Sequence, residues 1–137
     1  LWRPRPYRPD PAPALALAPV PANWPHMSPN DLTLVAKHVM KLLVERRYVD
    51  LEEVTDGVRL SADAMADAVE EIGAPLVMPP PTVWNNLKAV AIRNWPGAFS
   101  VHVDLYTAGG RSTHQVEMTV HEKGGRPVIE LDDIVQR

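Results

Sequence analysis

Phe99, Val101, Val103 and Leu105 alternate with Ser100, His102, Asp104 and Tyr106. A two-residue period of this kind belongs to an extended strand with one face buried and the other in water. The same alternation returns in Val116, Met118 and Val120 against Gln115, Glu117, Thr119 and His121. It returns again in Ile129 and Leu131 against Glu130 and Asp132, within a strand read over residues 128–134. Gly109-Gly110 and Gly124-Gly125 sit between these runs, where hairpin turns need residues that tolerate positive φ. Centring the first hairpin between Gly109 and Gly110 pairs Val103 with Val116, Val101 with Met118 and Phe99 with Val120. Sliding it by one residue would bury His102 and Asp104, so the pattern fixes the register. The outward pairs become Tyr106–Thr113, Asp104–Gln115, His102–Glu117 and Ser100–Thr119. The last hairpin then sets Ile129 against Val120, Leu131 against Met118, and Asp132 against Glu117. A further strand is expected from Trp84 to Asn94, with Val90 and Ile92 on one face.

The preceding residues read as helix. Ser28-Pro29-Asn30-Asp31 combines an N-cap, a proline suited to the first helical position and an acid favourable to the helix dipole. Leu32, Val35, Ala36, Val39, Leu42 and Leu43 follow at helical spacing, and the helix is expected to end at Glu45-Arg46-Arg47. Residues 48–55 read as a short helical turn, with Asp56-Gly57 as a bend. Ser61 is placed to cap a second helix, with Met65, Val69 and Ile72 as its apolar edge and Gly73 as its stop. Residues 74–81 hold four prolines and read as a rigid linker. The expected fold is therefore α+β: two N-terminal helices packed on a four-stranded antiparallel β-meander, forming one domain over residues 28–137.

Residues 1–27 stand apart. Eight of the 15 prolines fall before residue 26, so this stretch should be extended or disordered. Three readings compete: a Pro-rich ligand for a partner's aromatic groove, a plain flexible arm, or a leader foreign to the native protein. The third is favoured, because Met27 directly precedes a well-formed helix start. The run from Ala14 to Val20, broken by Pro19, is too weak for a signal-peptide core.

Composition excludes several kinds of chemistry. There is no cysteine, hence no disulfide, no thiolate nucleophile and no Cys-type zinc site; a reducing cytoplasm is the expected location. No stretch approaches the roughly 18 unbroken apolar residues of a membrane span. The net charge is −3, and because residues 1–26 carry +2 the remainder carries −5. An acidic domain repels phosphate backbones unless a basic patch is concentrated somewhere, and no such patch is visible in the order of residues. No nucleic-acid partner is expected. There is no H-E-x-x-H, no phosphate-binding Gly-rich loop before a helix and no G-x-S-x-G. His26, His38, His102, His114 and His121 form no ligand set; His114 and His121, seven apart on one strand, point to opposite faces.

The sharpest feature is the row His102, Glu117 and Asp132 across three strands. A histidine flanked by carboxylates can act as general acid/base, or the trio can hold a divalent cation. The competing reading is a solvated polar face on which His102 relieves repulsion between two acids. That reading is favoured, and no catalytic residue, metal or cofactor is assigned. Trp84, Trp95 and Tyr106, near strand ends, are read as caps on the core rather than as partner anchors.

Leu43-Val44, Tyr48, Leu51-Glu52, Thr55-Asp56-Gly57 and Arg59-Leu60-Ser61 resemble segments of an uncharacterised bacterial domain family. So do Val103-Asp104-Leu105-Tyr106-Thr107, Gly110-Arg111-Ser112 and Glu130-Leu131-Asp132-Asp133-Ile134. The resemblance spans about residues 32–135; where members read G-R-S-D-L, Thr113-His114-Gln115 departs. It implies a domain of unknown function and carries over no catalytic residue. At the level of fold alone the arrangement is similar to cone-shaped and cystatin-like helix-on-sheet domains, which host many activities. The functional expectation is a small non-enzymatic protein-binding module, an immunity or accessory protein. The alternative is a small-molecule-binding or weakly catalytic domain. It would use a cavity between the first helix and the sheet, with His102, Glu117 and Asp132, or Tyr48, at its mouth.

Overall fold

A computed structural model describes residues 28–55 and 59–137. The Pro-rich stretch with its candidate start at Met27, and the bend expected at Asp56-Gly57, lie outside the described residues.

Helix α1 (Pro29–Val44) begins as its sequence dictates. The Ser28 hydroxyl accepts the Asp31 amide hydrogen at 3.2 Å, and the Asp31 carboxylate accepts that of Ser28 at 2.9 Å, closing a capping box. Val35, Ala36, Val39, Met40 and Leu43 run down its buried side. The helix ends with the Arg47 amide donating to the Leu42 carbonyl and the Arg46 amide to that of Leu43. This is a Schellman closure, and it sets Arg46 at φ 60° in the left-handed region. Glycine carries no Cβ penalty there, so Arg46→Gly should stabilise the domain by about 0.5–1 kcal/mol in urea unfolding. An unchanged midpoint would show that the arginine side chain offsets its own strain.

Helix α2 (Tyr48–Thr55) is a full two turns where the sequence promised one. It is tied to α3 (Ala62–Glu70) by Glu52, whose carboxylate accepts the Ala62 amide hydrogen at 2.8 Å while Ser61 caps the Ala64 amide. Gly73, at φ 83°, follows the end of α3 as its position suggests.

His38 of α1 carries a pH signal. Burial, then the nearby charges of Lys41 and Arg47, hold its pKa below the ordinary 6.5, and its Nε2 is buried without a hydrogen-bond partner. The folded state therefore prefers neutral imidazole. Above about pH 7.5, a unit over the ordinary value, both folded and unfolded chains are essentially neutral at this site and it is silent. As pH falls below that value the unfolded chain takes the proton first, and stability drops until the folded pKa is passed. Between about pH 7.5 and about pH 5.5, thermal unfolding of the native protein should fall more steeply than that of His38→Gln. Parallel slopes would remove His38 as the cause.

After α3 the chain forms β1 (Leu76–Val77), α4 (Pro81–Asn85), β2 (Lys88–Ala91), β3 (Ala98–Thr107), β4 (Gly110–Lys123) and β5 (Arg126–Gln136). The five strands form one antiparallel sheet in which β4 lies between β3 and β5, and β1 and β2 share the other edge of β3. Among the described residues the expected four-stranded meander is thus corrected to five strands, and the two helices to four. The supposed linker contributes a strand, with Leu76 opposite Thr107 and Val77 opposite Tyr106. Pro81 opens α4, because proline suits a first helical turn, so Trp84 is helical and the strand is only Lys88–Ala91. Within it Ala89 points inward and Val90 is 67% exposed.

The predicted core register stands: Val103 faces Val116, Val101 Met118, Phe99 Val120, Ile129 Val120 and Leu131 Met118. These side chains and those of α1–α3 make one core. Two bulges alter the ends. Tyr106 faces Arg111 instead of Thr113, with the Ser112 hydroxyl accepting the His114 amide hydrogen at 3.1 Å where the ladder slips. Glu117 faces Asp133 instead of Asp132.

Candidate functional site

All three helices of the N-terminal half pack on the sheet face that carries Val101, Val116 and Met118. The row residues alternate with these and lie on the opposite, outer face. His102 pairs with Glu117 as the alternation requires. The amide nitrogen of Gln115 lies between them, donating to Glu117 Oε2 at 3.0 Å and standing 3.4 Å from His102 Nδ1. The other ring nitrogen, Nε2, stands 3.4 Å from Ser100 Oγ. His102 is therefore addressed by an amide and a hydroxyl, with no carboxylate on either nitrogen.

Asp132 does not complete the row. The bulge after Leu131 inserts it between Thr119, whose hydroxyl donates to Oδ2 at 2.7 Å, and Arg59, whose Nε is 3.4 Å from Oδ1. Arg59 also stands 3.7 Å from Glu130, and His121 is 3.5 Å from the other oxygen of Glu130. The expected trio is thus two separate clusters. Among the described residues no group of three or more histidine or carboxylate side chains is placed to hold a metal ion.

Trp95, expected to cap the core, lies on the outer face instead, 4.7 Å from the His121 ring and 40% exposed. Trp84 does pack against the core, with Lys37 Nζ 5.7 Å from its ring centre. Tyr48 sits on the helix side, in a cleft of about 380 Å³ with Arg46, Val69 and Pro75, and burial raises its pKa. It has no part in the outer row. His114 points inward at 7% exposure, 3.6 Å from Glu71, away from His121 as the spacing required.

A cluster that the order of residues conceals forms at the Gly110 end of the outer face. Asp104 is 8% exposed. Lys88 Nζ lies 3.7 Å and Arg111 Nη1 3.6 Å from its Oδ2, and Arg137 Nε lies 3.3 Å from its Oδ1. The cations come from β2, β4 and the residue after β5, so only pairing of the strands brings them together. The one available signal was Lys88, which a correctly placed β2 sets opposite His102, two residues from Asp104.

No helix among the described residues is long and apolar enough to cross a membrane. No curated protein and no solved structure matches the chain. A family model does, over residues 40–136, which takes in α2, α3, α4, every strand described and, of the outer clusters, every member but Arg137. The chain belongs to the family described as "Domain of unknown function (DUF7668)".

Proposed function

We propose that this domain is a small non-enzymatic binding module that recognises a basic surface of another protein through the outer face of its sheet, in the manner of an immunity or accessory protein. One observation carries the reading. Helices cover only one face of the sheet; on the other Asp133 is exposed and Glu117 half-buried, while Glu130 and Asp132 beside them are partly covered by Arg59. The charge of −5 on residues 27–137 favours a basic partner at long range. A reducing compartment belongs to the same reading, since the chain has no cysteine. The full chain, immobilised, should retain a basic protein, and Glu117→Lys with Asp133→Lys should weaken that retention by about tenfold or more. Glu53→Lys, on the exposed side of α2, should leave it unchanged. Equal retention by the double variant, or no retention together with turnover of a metabolite, would overturn the reading.

A second reading rests on a different place. A cleft of about 660 Å³ lies between the start of α1, α4 and the β2–β3 edge, lined by Leu32, Lys37, Trp84, Asn86, Leu87 and Phe99. Its size is that of small-molecule sites. It is the cavity between helix and sheet that the alternative required, but the row residues are on the other side of the sheet.

A further inference from the structure

We propose that the basic corner around Asp104 is a binding site for a phosphate dianion, free or carried by a small molecule. Three cations surround one carboxylate, which leaves a local excess of two positive charges in a domain that is otherwise acidic. Asp104, nine-tenths buried, acts as the anchor: it holds Lys88, Arg111 and Arg137 together against their mutual repulsion and so prearranges them. The separations of 3.3–3.7 Å are those of ion pairs, longer than the usual N–H···O hydrogen bond. Among the described residues neither Lys88 nor Arg111 donates a side-chain hydrogen bond, and the two side chains are 60% and 55% exposed. Their donors remain available to an incoming oxyanion. Arg137 is already oriented, its guanidinium donating to the Ser112 carbonyl.

A cleft of about 160 Å³ opens beside this cluster, lined by Thr82, Val83, Asn86, Lys88, His102 and Asp104. It admits one phosphate group with its nearest waters and is too small for a nucleoside. Thr82 offers a hydroxyl, and the His102 ring lines the cleft beside it. A tetrahedral phosphate dianion presents oxygens to Lys88 and Arg111 at once, which a planar carboxylate with two oxygens does less well. The site adjoins the proposed protein-binding face at Glu117, which pairs with His102, but its cations Lys88, Arg111 and Arg137 are no part of that face.

The test is an amide-resolved NMR titration of the full chain with inorganic phosphate and, separately, phenyl phosphate, at a pH where both are dianions. Sodium chloride holds the ionic strength constant. The expected result is saturating shifts at Lys88, His102, Asp104 and Arg111. Lys88→Gln and Arg111→Gln, both at exposed side chains, should each weaken binding by about fivefold or more. Tighter binding of the phenyl ester marks an organic phosphate as the ligand, and tighter inorganic phosphate marks the free ion; either supports the site. Linear shifts, shifts centred elsewhere, or an affinity indifferent to both variants would overturn it.

Discussion

Met118→Ala should lower the stability of the domain by about 3 kcal/mol and its melting temperature by roughly 15 °C. Met118 is fully buried in the central strand β4, between Val101 of β3 and Leu131 of β5, and its side chain faces the helices. Truncation there opens a cavity that the strands on both sides prevent from collapsing. The neighbouring Thr119 faces the other way, bonding to Asp132, and Thr119→Ala should cost about 1 kcal/mol. Urea unfolding of the two variants measures the contrast directly. Equal losses would mean that the sheet buries both faces, and the open outer surface on which the functional reading stands would be lost with it.

Asp104→Leu should be the second large loss, about 2 kcal/mol. The substitution fills a similar volume but leaves Lys88, Arg111 and Arg137 with no counter-charge. Removing one partner of a wholly buried ion pair typically costs 3–5 kcal/mol, and the figure is reduced here because Lys88 and Arg111 are more than half exposed and keep their water. The loss should diminish when Lys88→Met is added, because one source of repulsion then goes. A double-mutant cycle in thermal or urea unfolding reads that coupling. Additive effects would show that Asp104 acts through packing alone.

The parts of the fold legible in the sequence are those where one periodicity acts without interruption. Val101, Val103, Val116, Met118 and Val120 fix the β3–β4 register because any slip exposes five apolar groups at once. The register of β5 was legible as far as Leu131 for the same reason. Its bulge was missed because strict alternation was carried into Asp132-Asp133, although Leu131 and Ile134, both buried, stand three apart and cannot share a face without an extra residue. That one residue separates Asp132 from His102 and Glu117, so the candidate row failed with it. The prolines at 79–81 masked β1 and α4, since proline reads as a break while also being a good first helical residue. The Asp104 cluster lay beyond pattern reading altogether. Its members are spread from residue 88 to residue 137, and single charges on alternating positions look like ordinary solvated face until the strands pair.

The way β1 and β2 divide one edge of β3 bears on self-association. Each is short, two and four residues, and α4 interrupts the line between them, so no long run of unpaired backbone is left on that side. The opposite border is β5, which has Pro127 near its start and a bulge near Asp132. Proline withholds a donor, and a bulge bends the strand out of plane. An unfolded or foreign segment seeking to extend the sheet meets a broken template on one side and a kinked, acidic one on the other, a defence against fibril-type growth built from the same irregularities that hid the topology.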